Sequence, residues 1–217
     1  MRQICMMLLT ANLFLGTSMA KPQQPVKEPH ALMLVAHPDD ESIWGGQHLL
    51  DQKGEYVVVC LTSKNNPTRN KEFHQAIKQA HDQGVMYAYP DKVQGKRSQW
   101  KKEHKQIEKT IRYWVRKKHW TKIVTHNPDG EYGHQHHRMT SEMVTKEVKK
   151  IHETNRLVYF GKYYKKGNLP FSMRQKKMSV EKKNLLKAYG SQKLVLQHLH
   201  HMLPYEKWVK YKDWSKQ

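Results

Sequence analysis

Two short segments hold most of the side chains able to do metal and proton-transfer chemistry. The first is Ala36-His37-Pro38-Asp39-Asp40-Glu41, and the second runs Thr125-His126-Asn127-Pro128-Asp129-Gly130-Glu131-Tyr132-Gly133-His134-Gln135-His136-His137. Imidazole nitrogen and carboxylate oxygen are ligands that a borderline cation such as zinc accepts, and three protein ligands leave one position open for water. A metal lowers the pKa of that water to about 7, so it becomes a usable nucleophile once a nearby carboxylate takes its proton. Hydrolysis of an amide asks for that water, for donors or a Lewis acid at the tetrahedral oxyanion, and for a proton on the departing nitrogen. Adjacent side chains diverge, so of Asp39 and Asp40 one can ligate while the other faces the water. His134 and His137 are three residues apart and would share one face of a helical first turn. His126, His136, His198, His200 and His201 read as surface or structural residues.

Segments about 90 residues apart can surround one point only if the fold delivers both to the same edge of a sheet. Ala31–Ala36 and Tyr56–Leu61 are continuous apolar runs of strand length, as expected for strands buried on both faces. Between and after them, Ser42–Lys53 reads as a helix stopped by Gly54. Thr68–Gln83 reads as another, with Phe73, Ala76, Ile77 and Ala80 on one side and Gly84 as its stop. A short strand is expected at Val85–Tyr89. A long amphipathic helix is expected over Arg97–Lys118, with Trp100, Ile107, Ile111, Trp114 and Val115 facing the core. A strand at Thr121–Thr125, a helix at Thr140–Glu153 and a strand at Arg156–Gly161 follow. This alternation predicts an α/β, Rossmann-like fold: a mainly parallel sheet with helices on both faces and ligand sites beyond the carboxyl ends of the strands. The last fifty residues read as basic and mostly helical.

At the two chemical segments the sequence resembles the LmbE-like or PIG-L-like de-N-acetylases, zinc enzymes that remove acetyl groups from substrates containing N-acetylglucosamine. Their signatures are an Ala-His-Pro-Asp-Asp-Glu loop, here Ala36–Glu41, and a later Gly-x-Tyr-Gly-His-x-x-His segment, here Gly130–His137. Arg69-x-x-Glu72-x-x-x-Ala76 with Gly84-Val85 beyond it, and Tyr189-x-Ser191-Gln192, extend the resemblance across residues 31 to 192. The resemblance implies His37, Asp40 and His137 as metal ligands and Asp39 as general base. It implies His134 as the group that stabilises developing charge and protonates the leaving amine, and Tyr132 as hydrogen-bond donor to the oxyanion. The implied metal is Zn2+; two histidines and one carboxylate also suit Fe2+. The implied substrate is an N-acetylated amino sugar. This chain departs from the family pattern at His136, where an aspartate usually stands between the two histidines, and at Thr62-Ser63-Lys64-Asn65-Asn66-Pro67, which replaces a Thr-x-Gly-Glu loop. Asp129 and Glu131 are candidates to replace the missing acid. Arg69 and Glu72 read as a helix-surface ion pair or loop anchor.

The chain has 217 residues, 39 Lys+Arg against 19 Asp+Glu, a formal charge of +20 and a pI near 9.8. Residues 1–20 read as a secretory signal peptide cut after Ala20, which implies export to a periplasmic or secreted destination, or a membrane anchor if the peptide is retained. Residues 21–30 read as an extended leader and 31–217 as one domain. Two cysteines, Cys5 and Cys60, exclude a disulfide framework or a Cys-based zinc finger. No His-Glu-x-x-His, phosphate-binding Gly-rich loop or Gly-x-Ser-x-Gly is present, so zincin, nucleotide-binding and serine-hydrolase readings lack support. Basic residues concentrate in two stretches: 12 Lys+Arg against 2 Glu over residues 92–122, and 9 against 1 over residues 162–187. With an acidic metal loop, that distribution points to an anionic substrate, membrane or cell-envelope surface and away from nucleic acid. The competing reading is a non-catalytic binder of polyanions or anionic surfaces with a vestigial metal site.

Overall fold

The computed structural model describes residues 28–216; the expected signal peptide and most of the expected leader lie outside them. Five strands run parallel: β1 (Ala31–Val35), β2 (Tyr56–Thr62), β3 (Gln83–Tyr89), β6 (Lys122–Thr125) and β7 (Leu157–Tyr159). A short antiparallel β8 (Val209–Lys210) completes the sheet, in the order β3-β2-β1-β6-β7-β8. The strands bury both faces because alternate residues feed opposite cores. Met33 and Val35 of β1 join Val58 and Cys60 of β2 beneath α1 (Asp40–Asp51) and α2 (Pro67–Gln79), with Ile43, Leu49, Phe73 and Ile77 packed against them. Leu32, Leu34, Val57 and Val59 point the other way, toward Ile107, Ile111 and Trp114 of α3 (His104–Arg116) and Val144 and Val148 of α4 (Gln135–Lys150). A mainly parallel sheet between helical layers is the architecture expected from the sequence.

Local differences have identifiable causes. α2 stops at Gln79, and Gly84 lies inside β3, not at a helix end. Its role there is clearance: a Cβ at Gly84 would stand 2.8 Å from the Phe73 ring and 3.2 Å from Ile77. The long helix expected from Arg97 begins only at His104. Residues 92–97 form instead a hairpin of β4 (Lys92–Val93) and β5 (Lys96–Arg97), and Trp100 has a left-handed backbone with φ +50°. The indole of Trp100 is fully buried and donates to Pro90 O at 2.8 Å, so its apolar pull is satisfied without helix. α4 begins at Gln135 and not at Thr140, so His134 is its cap residue and His136 and His137 lie in its first turn.

The C-terminal part contributes α5 (Phe171–Arg174), α6 (Val180–Leu186), α7 (Lys193–His198) and the edge strand β8. α6 is pinned to α1 by a buried lysine: Lys182 donates to Ile43 O at 2.9 Å and pairs with Glu206, which also accepts the Gln47 and His48 backbone N–H groups. Among the described residues, no helix is long and apolar enough to cross a membrane. Gly84→Ala should lower the unfolding free energy by about 1–3 kcal/mol through overpacking against Phe73 and Ile77, read as a lower urea midpoint at unchanged slope.

Candidate metal and active site

Strand order reverses at β1, which has β2 on one side and β6 on the other, so the loops after β1 and β6 border one crevice. Registry fixes their relation: Leu34 pairs with Thr125, and the next turn of chain lets Ala36 N–H donate to His126 Nε2 at 3.0 Å. The β1 loop enters α1 through Asp39, whose φ of +117° is a conformation that costs a non-glycine residue about 1–3 kcal/mol. The two aspartates diverge. Asp39 meets the Arg69 guanidinium at 3.3 Å, whereas Asp40 accepts the His37 N–H at 2.7 Å and faces the histidines of the second loop.

The β6 loop needs Gly130, at φ +69°, because a Cβ there would collide with His134 O at 2.6 Å. This turn delivers Glu131 into the interior. One of its oxygens accepts Asn127 N–H at 2.9 Å, and the other lies 3.0 Å from His126 Nδ1 and 2.5 Å from His137 Nδ1. Burial alone would raise the Glu131 pKa, but the two imidazoles outweigh it and hold the carboxyl down at about 2. His126 receives Ala36 N–H on Nε2 and so carries its proton on Nδ1. His137 likewise directs Nδ1–H at Glu131, which leaves its Nε2 lone pair facing Asp40.

Three donors converge in front of these supports. His37 Nδ1 is 3.2 Å from Asp40 Oδ2, His137 Nε2 is 3.2 Å from Asp40 Oδ1, and the two nitrogens are 3.3 Å apart. A tetrahedral ion with ligand bonds of about 2.0–2.1 Å has edges of about 3.3 Å, which is the separation of the two imidazole nitrogens, and each nitrogen has an Asp40 oxygen at a similar distance. His134 also lies within reach of His37 and His137, and His126 within reach of Asp40 and His137.

A cavity of about 530 Å³ opens over this point, lined by His37, Asp39, Asp40, Tyr132 and His134, with Arg69, Asp91, Lys92 and Arg97 farther out. Burial and the neighbouring Asp40 push the Asp39 carboxyl up to about 8, against the pull of Arg69. Burial acts the same way on Asp40, but His137 and His126 reverse it and hold Asp40 well below the usual carboxylate range. Burial and the charges of Asp40 and Asp39 raise the Tyr132 phenol, which stays protonated and able to donate. Burial, followed by the neighbouring His137 and His37 imidazoles, depresses His134 far below the ordinary histidine range. Its buried Nδ1 has no hydrogen-bond partner among the described residues. A standing imidazolium at His134 is thus disfavoured in the metal-free site.

The structure gathers the six expected site residues around one point, five of them lining the cavity and His137 buried beneath it, and it changes other readings. His126 and His136, taken as surface or structural, are fully buried at the site. Glu131 serves His126 and His137 and does not replace the missing acid beside His134. Arg69 and Glu72 do form the expected ion pair, at 3.1 Å, and do anchor the loop, but they are buried and not on a helix surface: Arg69 also donates to Pro38 O, and Glu72 accepts Ser191 N–H at 2.6 Å and Ser191 Oγ–H at 2.7 Å. Tyr189 donates to Glu41. The Tyr189-x-Ser191 element therefore clamps both anchors of the first loop. Asp91, 3.4 Å from His37 Nε2, was missed because it follows β3, outside either dense cluster.

The sequence matches the PIG-L family, GlcNAc-PI de-N-acetylase, over residues 32–148, a stretch that contains both loops. The chain belongs to the PIG-L family. It is 30% identical over 148 residues to uncharacterized protein L374 of Acanthamoeba polyphaga mimivirus, covering 61% of this chain and 63% of that protein. The chain thus spans just under two thirds of that relative. Two solved structures share the fold. The A40926 pseudoaglycone deacetylase Dbv21 has a TM-score of 0.59 at 13% identity, over 82% of this chain and 88% of that one. The 4-carboxy-2-hydroxymuconate hydratase GalB of Pseudomonas putida KT2440 has a TM-score of 0.57 at 11% identity, over 79% and 83%. One fold carries a deacetylase and a hydratase, so the reaction has to be argued from the residues of the site.

Because the folded-state pKa of Asp39 lies above its ordinary 3.8, the stability its neutral carboxyl lends is present below pH 3.8 and lost as pH rises through about 8. Metal-free Asp39→Asn should therefore melt above the metal-free parent at pH 7.5. Calorimetry between pH 4 and 8 should show that advantage shrinking toward the acid end.

Proposed function

We propose that this PIG-L chain is a metal-dependent hydrolase that removes the acetyl group from an N-acetylated amino sugar. The observation that carries the reading is the convergence of His37 Nδ1 and His137 Nε2, 3.3 Å apart and each 3.2 Å from one of the two Asp40 carboxylate oxygens, with Asp39 and Tyr132 on the adjoining cavity. His37, Asp40 and His137 would hold the ion, with zinc as the metal the ligand set suits and iron(II) as the alternative. The ion, when bound, supplies an activated water and a Lewis acid at the amide carbonyl. Asp39 takes the proton of the attacking water. Taking that proton requires the ionised carboxylate, which Arg69 and a bound cation favour against the upward push of burial, and Asp39 can then pass the proton to the departing nitrogen. Tyr132, a phenol that does not ionise at working pH, donates to the carbonyl oxygen as negative charge develops. His134 acts as a neutral imidazole beside the same oxygen.

Lys92 and Arg97 of the β4–β5 hairpin line the outer cavity and suit a substrate carrying phosphate or carboxylate. Export through residues 1–20 belongs to the same proposal. The competing polyanion-binding reading predicts a metal-free protein with no turnover.

Metal analysis and acetate release from N-acetylglucosamine compounds, neutral against phosphate-bearing, test the proposal. Asp39→Ala should reduce turnover about 10²–10⁴-fold with the metal retained; unchanged turnover sinks the catalytic reading. Exchanging Lys92 and Arg97 for Glu should raise KM for the phosphate-bearing substrate and leave the neutral one unaffected.

A further inference from the structure

His136 stands where the family resemblance leads one to expect an aspartate, and its contacts are unlike those of an acid beside His134. Its Nε2 lies 2.7 Å from Ser98 O, and a carbonyl oxygen only accepts, so that nitrogen carries a proton. The nitrogen left to accept is Nδ1, and it lies 3.0 Å from His37 Nε2. The ring is fixed in this setting by stacking on the buried Trp100 indole, with centroids 4.0 Å apart and planes within 4°. The Ser98 carbonyl belongs to the segment tied back to Asp91 by Ser98 N–H donating to Asp91 O at 2.9 Å. Resting on the metal-site reading above, we infer that His136 is a positioning residue: it accepts the Nε2–H of His37 and so fixes the tautomer that turns the His37 Nδ1 lone pair toward Asp40 and His137. The sequence of contacts is Ser98 C=O to His136 to His37 to the ion. It places a neutral imidazole where histidine ligands commonly have a carboxylate or carbonyl behind them. The other ligand, His137, has the carboxylate version in Glu131. Asp91 Oδ1, at 3.4 Å from the same His37 nitrogen and 3.6 Å from His136 Nδ1, is the competing acceptor.

The test is metal affinity, read by titrating the metal-free full chain with Zn2+ and with Co2+, whose visible spectrum reports the ligand geometry. His136→Phe keeps the stack on Trp100 and removes the acceptor. It should weaken metal binding tenfold or more, with one ion still bound, whereas His136→Gln, which offers an amide oxygen, should recover most of the loss. Asp91→Ala should cost less than His136→Phe. In the unmutated, zinc-loaded chain, ¹⁵N–¹H spectra should show the proton of His136 on Nε2 and that of His37 on Nε2. Zinc bound as tightly by His136→Phe as by the parent, a larger loss in Asp91→Ala, a second ion that disappears with His136, or a proton on His136 Nδ1 would each overturn the inference. A parent chain that binds no divalent ion would instead remove the metal-site reading on which it rests.

Discussion

The parallel pairing of β1 with β6 is the constraint on which the site depends. Residues 31–34 lie in register with residues 122–125, so the chain leaves the two strands side by side at their carboxyl ends. No interaction within either loop could bring His37 and His137 together across 100 intervening residues. That work is done by the apolar runs of the two strands, which are buried on both faces and cannot slip without unpacking both cores. Ala36 N–H to His126 Nε2 continues the register one step beyond the sheet. The central strands thereby act as the ruler for distances a few ångströms above them.

A second layer sets the orientation of each reacting group. Glu131 orders His126 and His137 through one carboxylate oxygen, Arg69 holds Pro38 and Asp39, and Glu41 and Glu72 are held in turn by Tyr189 and Ser191. Almost every group in this layer is buried and polar, so each one left without its partner would carry the desolvation cost of a lost hydrogen bond. The exception is informative. His134 Nδ1 is buried and unpartnered, and burial together with the neighbouring imidazoles disfavours its protonation. Where His136 stands in place of an acid, Asp40 is the anion whose charge still favours a proton on His134.

The fold and the position of the two polar loops were legible in the sequence because they are local patterns: continuous apolar strands, amphipathic helices and dense runs of polar residues at strand ends. What was not legible depends on contacts between distant residues. Gly84 looked like a helix stop and is a clearance position under Phe73 and Ile77. Trp100 fitted a helical spacing and instead closes a hairpin through Pro90. His126 and His136 are single histidines in a chain that has 15, and only the β1–β6 register and the Trp100 stack separate them from those on the surface. Glu131 was noticed as an acid near His134, but the turn at Gly130 directs it to His137. The basic C-terminal stretch carried no strand signal, since β8 is two residues long, and its buried Lys182 has no pattern that distinguishes it from the exposed lysines around it.

The excess of positive charge also takes a more specific meaning from the structure. Much of it lies exposed on helices and on the segments between them, but one lysine is consumed internally by Glu206, and Arg69 by Asp39 and Glu72. The centre of the cavity is the reverse: Asp39, Asp40, Glu41 and Glu131 are all buried within a few residues of one another in two loops. Burial and the repulsion of Asp40 push the Asp39 carboxyl up, whereas His137 and His126 hold Asp40 down. A divalent cation between the histidines and Asp40 would relieve that repulsion, so folding of these loops and binding of the ion should favour one another. The basic residues Lys92 and Arg97 would then flank a centre whose anionic charge is already neutralised.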